Sequence, residues 1–384
     1  MRAVNRLVRD ALVSVAIALL LLAAAEAALR LASRILSGQW PETRTAALYR
    51  TMRAAKSLYR RDPFLMVAPR AGAHAVVSGK EIRFNSLGYR SPERPLAKRT
   101  GVIRIVCSGG SSTLDLLARD DQATWPWRLE DELRPANSAV EVWNAGFNGW
   151  TSLENLISLA NRDVDLAPDI VVLFQGINDL QPAAHQPFDP HYVAGHAAVC
   201  LRALGYDLPP LRWWQRSVLI EGARDLLGRR GDAAELLLPT RQAAPVRADI
   251  PAEAVATFAR NVRSFIAVAR EHGARVVLVT QTIRVRRAHR VDDLSYLAGW
   301  LPGLDPAVAA SQLQRFNDVL RHLGGGQQAL LADAAAVCWS DEDFADPMHF
   351  SAQGSVKFAT YLAGQLWPVL APLTAEGSVG SLKP

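Results

Sequence analysis

Four short stretches, far apart in the chain, carry the residue types that acyl transfer on a serine requires. They are Gly109-Gly110-Ser111-Ser112-Thr113, Asn144-Ala145-Gly146-Phe147-Asn148-Gly149, Gly176-Ile177-Asn178-Asp179 and Asp346-Pro347-Met348-His349. A serine hydroxyl is a weak nucleophile until a base takes its proton during attack. His349 is the candidate base, and Asp346, three residues earlier, can accept from one ring nitrogen and fix the tautomer. Attack on a carbonyl carbon charges its oxygen, which fixed donors must already face. The backbone N–H groups of Ser111 and Gly149 and the side-chain amide of Asn178 are the candidate donors of this oxyanion hole.

Each stretch alone has an ordinary explanation. A Gly-Gly-Ser-Ser turn commonly joins a strand to a helix with a capping serine, and Asn-Asp after a strand is a common turn. Asp346 to His349 could simply cap a helix. Their joint occurrence in this order, each at the end of an apolar run or at a helix start, favours the chemical reading.

These groups need a rigid frame. Short aliphatic and β-branched runs at Val102 to Cys107, Val140 to Trp143, Ile170 to Gln175, Arg275 to Gln281 and Gln328 to Leu331 read as five strands. Helical spacing separates them at Trp125 to Leu133, Ser152 to Asp163, Pro251 to His272 and Pro306 to Leu323, with Ser351 to Leu370 closing the domain. Such alternation predicts a parallel sheet covered by helices, a three-layer α/β fold. Functional groups in such sheets gather beyond the carboxyl ends of the strands, where three of the four stretches fall.

Two regions lie outside this alternation. Residues Trp40 to Thr100 are mixed and polar, with Pro41, Pro63, Pro69, Pro92 and Pro95 breaking any long helix, and read as a spacer with a small extension. Leu180 to Ile250 carries seven prolines and a Trp213-Trp214 pair and reads as an insertion after the third strand, either a lid or a peripheral helical decoration.

At the N-terminus, Arg2, Arg6 and Arg9 precede a run from Ala11 to Leu29 whose one charge is Glu26, long enough to cross a membrane. The basic end should stay in the cytoplasm and the rest be exported. A signal anchor is the preferred reading, because Glu26 to Leu31 continues the helical pattern. A cleavable signal peptide competes, with Ala23-Ala24-Ala25 or Ala25-Glu26-Ala27 as its cleavage site. The expected division is an anchor at 1–36, a spacer and extension at 37–100, a catalytic domain at 101–375 with its insertion at 180–250, and a tail at 376–384.

Composition narrows the class. With 49% apolar and 21% charged residues the 384-residue chain is globular rather than disordered. Its net charge of +6 comes from scattered basic residues, so a nucleic-acid partner is not expected. Cys107, Cys200 and Cys338 fit no metal spacing, and Cys107 reads as an inert thiol in a buried strand. His185, His191 and His196 lie in the insertion without a metal-binding pattern and read as loop histidines. No cofactor is required by the chemistry above.

Over about Val102 to Leu370, insertion excluded, the chain resembles the SGNH (GDSL-type) hydrolases. Gly109-Gly110-Ser111 matches the block that carries their nucleophile, and Asn144 to Gly149 the block with the oxyanion glycine. Gly176 to Asp179 matches the block with the asparagine, and Asp346 to His349 the Asp-x-x-His block. The resemblance implies a flavodoxin-like five-stranded fold, ester hydrolysis, and the roles argued above for Ser111, His349, Asp346, Gly149 and Asn178. Gly110 stands where the name-giving block has an acidic residue, which puts the support of the serine loop in question. Glycine there, and the segment Asn85-Ser86-Leu87-Gly88-Tyr89-Arg90, are similar to membrane-attached relatives. Asn85 to Arg90 reads as a packing strand with a glycine turn.

The expected substrate is a small acyl ester, on an extracytoplasmic glycan or lipid. Trp150, Trp213, Trp214 and Trp300 could stack on sugar rings, though packing is the commoner use of tryptophan. An O-acyltransferase using the same acyl-enzyme, and a catalytically silent anchored binding protein, are the competing functions.

Overall fold

The computed structural model describes residues 2–135, 139–192, 206, 210–227, 246–284, 291–301, 303–326 and 328–379. Contacts divide the chain into two compact units, Met1–Arg53 with Asp207–Leu237, and Ala54–Tyr206 with Leu238–Pro384. The first holds α1 (Arg2–Ser37) and most of α2 (Arg44–Ser57). The second opens with two antiparallel hairpins, β1 (Tyr59–Asp62) with β2 (Met66–Pro69) and β3 (His74–Val77) with β4 (Lys80–Arg83). It continues with β5 (Ile103–Gly109), α3 (Ser111–Leu114), α4 (Trp125–Leu133), β6 (Val140–Gly146), α5 (Ser152–Asn161), β7 (Ile170–Phe174) and α6 (Leu180–Ala184). After α7 (Val218–Leu226), which belongs to the first unit, come α8 (Ala252–Glu271), β8 (Arg275–Val279), α9 (Val291–Trp300), α10 (Ala309–Gly324), β9 (Leu330–Ala332) and α11 (Ala352–Val379).

Strands β5 to β9 form one parallel sheet in the order β6-β5-β7-β8-β9. Every residue of β5, β6 and β7 is buried, as expected of a parallel sheet covered on both faces. Alternate side chains sort between the two faces. Val171, Leu173, Val276 and Leu278 pack in one core with Phe258, Phe265 and Phe316 of α8 and α10. Ile105, Cys107, Val172 and Phe174 pack in another with Trp125 and Leu129 of α4 and Phe358 and Leu362 of α11. The result is the three-layer α/β/α fold with a five-stranded parallel sheet that the alternation predicts. Its strand order reverses between β5 and β7, the place where such sheets open a crevice.

The boundaries differ from the expectation in informative ways. Strand β5 runs on through Ser108 and Gly109, so the sharp turn falls on Gly110 alone; β6 likewise continues to Gly146. In the spacer, Pro41 and Pro63 bracket the 14-residue α2 instead of preventing a helix. Helix α9 places Trp300 at a helix end where the sequence suggests a loop. Cys107 is fully buried, and burial pushes its thiol up.

One ion pair sits inside the sheet. Arg104 of β5 lies opposite Glu141 of β6 and donates to it from Nε at 2.8 Å. Its Nη1 donates to the carbonyls of Leu96 (2.6 Å) and Leu166 (2.8 Å), and Nη2 to that of Pro95 (2.8 Å). The guanidinium thereby ties the proline-bearing segment before β5 to the edge of the sheet. Removing one partner of a buried pair leaves the other charged and unsatisfied. Arg104→Met should therefore cost about 3–5 kcal/mol in denaturant unfolding. A loss below about 1 kcal/mol, the range of an exposed pair, would show that the pair is not structural.

Candidate active site

The turn after β5 places Ser111 at the start of α3, above the carboxyl end of the sheet. His349 Nε2 lies 2.8 Å from Ser111 Oγ, although 238 residues separate them. His349 Nδ1 lies 2.7 Å from Asp346 Oδ2 and 3.0 Å from Oδ1. An ionised carboxylate only accepts, so Nδ1 carries the proton and Nε2 is left to accept from the serine hydroxyl. Asp346 Oδ1 also receives the backbone N–H groups of Met348 (2.8 Å) and His349 (2.9 Å). Burial opposes its charge, but the His349 ring and these donors outweigh burial and hold the carboxyl below its ordinary range. Ser111 is only 6% exposed.

The loops after β6 and β7 meet at the Trp150 carbonyl. Asn178 Nδ2 donates to it at 2.8 Å, and Gln175 Nε2 donates to it as well. Turning the Asn178 amide over would set two acceptors against each other, so its orientation is determined. Gly149 takes φ +77°, the left-handed region open to glycine, just before Thr151 caps α5. Asp179 locks the same two loops, accepting from the Ser152 hydroxyl at 2.5 Å and from its N–H at 3.2 and 3.1 Å. Ser111, His349 and Asp346 are thus joined by hydrogen bonds, and Gly149 and Asn178 sit on the loops that flank the serine turn.

Gly110 has a local reason. A Cβ there would lie 2.2 Å from Asn178 Nδ2 and 3.3 Å from the Trp150 oxygen. The space of a side chain is occupied by the asparagine amide, so the acidic residue of the related block has no room in this packing.

Several supporting residues carry no sequence signal. Arg90 is buried and donates from Nη1 to the carbonyls of Leu114 (3.1 Å) and Asp115 (3.0 Å), at the end of the serine helix, while Nε reaches Asp121 at 2.7 Å. The sequence suggests only packing for its segment; in the structure it holds the serine-bearing turn. Trp125 Nε1 donates to the Ser112 carbonyl at 2.8 Å, and the Ser112 hydroxyl to the Met348 carbonyl at 3.1 Å. Arg284 secures the histidine loop: its backbone N–H donates to the Pro347 carbonyl (3.0 Å), its Nη1 to that of Phe344 (3.3 Å), and its Nε to Asp293 of α9 (2.9 Å).

Trp150 is core rather than a sugar platform: it is buried against Phe147 and donates from Nε1 to the Val67 carbonyl at 3.1 Å. Trp213 lies in the first unit. His185 turns Nδ1 to the Pro187 carbonyl at 3.0 Å, and His196 and Cys200 lie outside the described residues.

A model of the GDSL-like lipase/acylhydrolase family matches residues 107–356. A search of curated proteins finds no match. Among solved structures, the chain is similar to a lipase/acylhydrolase from Enterococcus faecalis, with 17% identity over 69% of this chain and 95% of that one, TM-score 0.40. It is also similar to an acetyl xylan esterase, with 12% identity over 68% and 98%, TM-score 0.39. A GDSL-like lipase from Bacteroides thetaiotaomicron shares 13% identity over 70% and 88%, TM-score 0.36.

Two expectations follow from this packing. Gly110→Ala should push the Asn178 amide aside and lower kcat by about 10²-fold, the scale of a misplacement near 1 Å, with the fold retained. Unchanged kcat would mean that the amide position does not matter. Burial raises the Asp179 carboxyl to about 7, against the donors of Ser152. The folded state then holds a proton that the unfolded chain releases near pH 4, so stability is greatest below that value. It declines as pH rises to about 7, by at most about 4 kcal/mol. The melting temperature of Asp179→Asn should therefore fall less than that of wild type between about pH 5 and pH 8; parallel curves would assign the dependence to other groups.

Proposed function

Because the chain belongs to the GDSL-like lipase/acylhydrolase family, and is thus a hydrolase of ester bonds, we propose that Ser111, His349 and Asp346 carry the reaction through an acyl-enzyme. The observation that supports this most is the 2.8 Å contact between Ser111 Oγ and His349 Nε2, backed by the 2.7 Å contact of His349 Nδ1 with Asp346. As Oγ bonds to the ester carbon, its proton passes to Nε2, and Asp346 stabilises the imidazolium. His349 then protonates the leaving alcohol, and water repeats the sequence to release the acid. The N–H groups of Ser111 and Gly149 and the second N–H of the Asn178 amide receive the charge on the carbonyl oxygen. No metal or organic cofactor enters these steps.

The N-terminal helix is long and apolar enough over Val8–Ser37 to cross a membrane, as an anchor or a signal sequence would be. With Arg2, Arg6 and Arg9 held in the cytoplasm, the catalytic unit lies outside it. There the substrate is a small acyl ester on a glycan or lipid. That substrate class rests on location alone, since Trp150 is buried.

Ser111→Ala should lose nitrophenyl-ester hydrolysis by several orders of magnitude, and Asn178→Ala by about 10²- to 10³-fold. Activity of Ser111→Ala within about tenfold of wild type would overturn the assignment. Should wild type hydrolyse poorly yet transfer the acyl group to a sugar acceptor in a Ser111-dependent way, the reaction is O-acyl transfer on the same site.

A further inference from the structure

Helix α7 is nine residues long, five of them apolar, and none is buried. On a helical wheel Leu219, Ile220, Ala223, Leu226 and Leu227 share one arc, and Glu221, Arg224 and Asp225 the other. The acidic pair is satisfied: Arg44 donates its N–H to Glu221 at 3.0 Å and its Nη2 to Asp225 at 2.5 Å. The C-terminal part of the apolar arc is not covered, with Leu226 91% and Leu227 73% exposed, while Leu219 and Ile220 are half-buried; Trp213 just upstream is 78% exposed. A short helix with so little buried surface has little to hold it in water.

Its start is fastened to the N-terminal helix of the same unit. Glu26, the one charge in the apolar run, accepts the N–H groups of Val218 (3.0 Å) and Leu219 (2.8 Å) and the hydroxyl of Ser217 (2.9 Å). Arg30 completes the joint, with Nε on Glu26 at 2.7 Å and Nη2 on the Arg216 carbonyl at 2.5 Å. Glu26 lies about one helical turn, roughly 5–6 Å, before Arg30. If the apolar run fills a hydrocarbon core of roughly 30 Å, this joint falls at the boundary with the headgroups. Whatever depth Glu26 has, Ser217 to Leu219 must share.

We propose that the segment Trp213–Leu227 is a second membrane contact, lying in the interface at the C-terminal end of the N-terminal span. Its apolar arc enters the acyl chains, while the exposed Arg212, Arg216 and Arg224 meet anionic phospholipid headgroups. The inference rests on the anchor reading of the N-terminal helix, since the joint requires Glu26 to remain in the chain. Part of the insertion is then membrane-bound rather than a lid.

The test uses the full chain in vesicles of phosphatidylcholine and phosphatidylglycerol. A nitroxide is placed at Leu226→Cys, or as a control at Leu20→Cys inside the span, with Cys200 and Cys338 replaced by serine. Relaxation by oxygen, which partitions into lipid, is compared with relaxation by a water-soluble nickel chelate. The proposal expects oxygen to dominate at both positions, with the Leu226 label at shallower depth. Nickel dominating at Leu226 alone would place α7 in water and overturn the proposal while leaving the anchor. Shielding of Leu226 from both reagents would assign the surface to a protein or a second copy, again overturning it. Nickel dominating at Leu20 would remove the anchor reading and the proposal together.

Discussion

The carbonyl oxygen of Trp150 receives two side-chain N–H groups, from Gln175 and Asn178, and both belong to the loop that leaves β7. This convergence sets the spacing of the whole crevice. It aims the Asn178 amide, ties the loop after β6 to the loop after β7, and brings that amide so close to the turn after β5 that only glycine fits at position 110. The loops of three neighbouring strands thus meet at one point, two of them through one shared backbone oxygen. The strand order makes it possible, since β5 lies between β6 and β7.

A crevice built this tightly needs bracing on the side away from the sheet, where backbone groups of short elements would otherwise lack partners. The helix bearing Ser111 is four residues long and ends at Asp115 in the left-handed region, φ +55°. Its terminal carbonyls are taken by Arg90, from the segment that precedes the sheet. Asp115 in turn accepts the N–H of Trp125 at 2.8 Å, which joins the serine turn to the start of α4. The segment around Arg90, within the expected spacer and small extension, therefore braces the turn that carries Ser111.

Short aliphatic and β-branched runs make the sheet legible in the sequence, because parallel strands covered on both faces are largely apolar. Ser111, Asp346, His349, Gly149 and Asn178 are legible as candidates because each belongs to a short block with restrictive residue types. Arg90, Arg284 and Asp293 are not. Arg90 and Arg284 act through backbone carbonyls far away in the chain, and Asp293 through Arg284; a lone arginine in a polar stretch looks the same whether it is solvated or buried. Helix α9 is missed for a related reason: Val291 to Trp300 buries only Asp293 and Leu297, so its apolar pattern is weak. Strand ends are misjudged at Ser108-Gly109 and Asn144-Ala145-Gly146, where small residues suggest a turn but serve close packing inside the sheet; a Cβ on Gly109 would fall 2.3 Å from the Phe174 carbonyl.

Buried polar atoms without partners occur in several places, Trp143 Nε1 in the sheet and Arg247 Nε among them, and two of them belong to residues on the loops near the serine. Among the described residues, Asn178 Oδ1 and Gln281 Oε1 are buried without a hydrogen-bond partner, and Asp179 is buried without a cation bonded to it. An unsatisfied buried acceptor costs about 1–3 kcal/mol, and nothing in the sheet requires that cost. The amide of Asn178 is held by its nitrogen alone, so the nitrogen's position is what the packing specifies and the oxygen's desolvation is what it tolerates. A residue selected for stability would satisfy both ends. Real proteins depart from such consistency mainly at functional sites, which accords with the role proposed for the Asn178 amide.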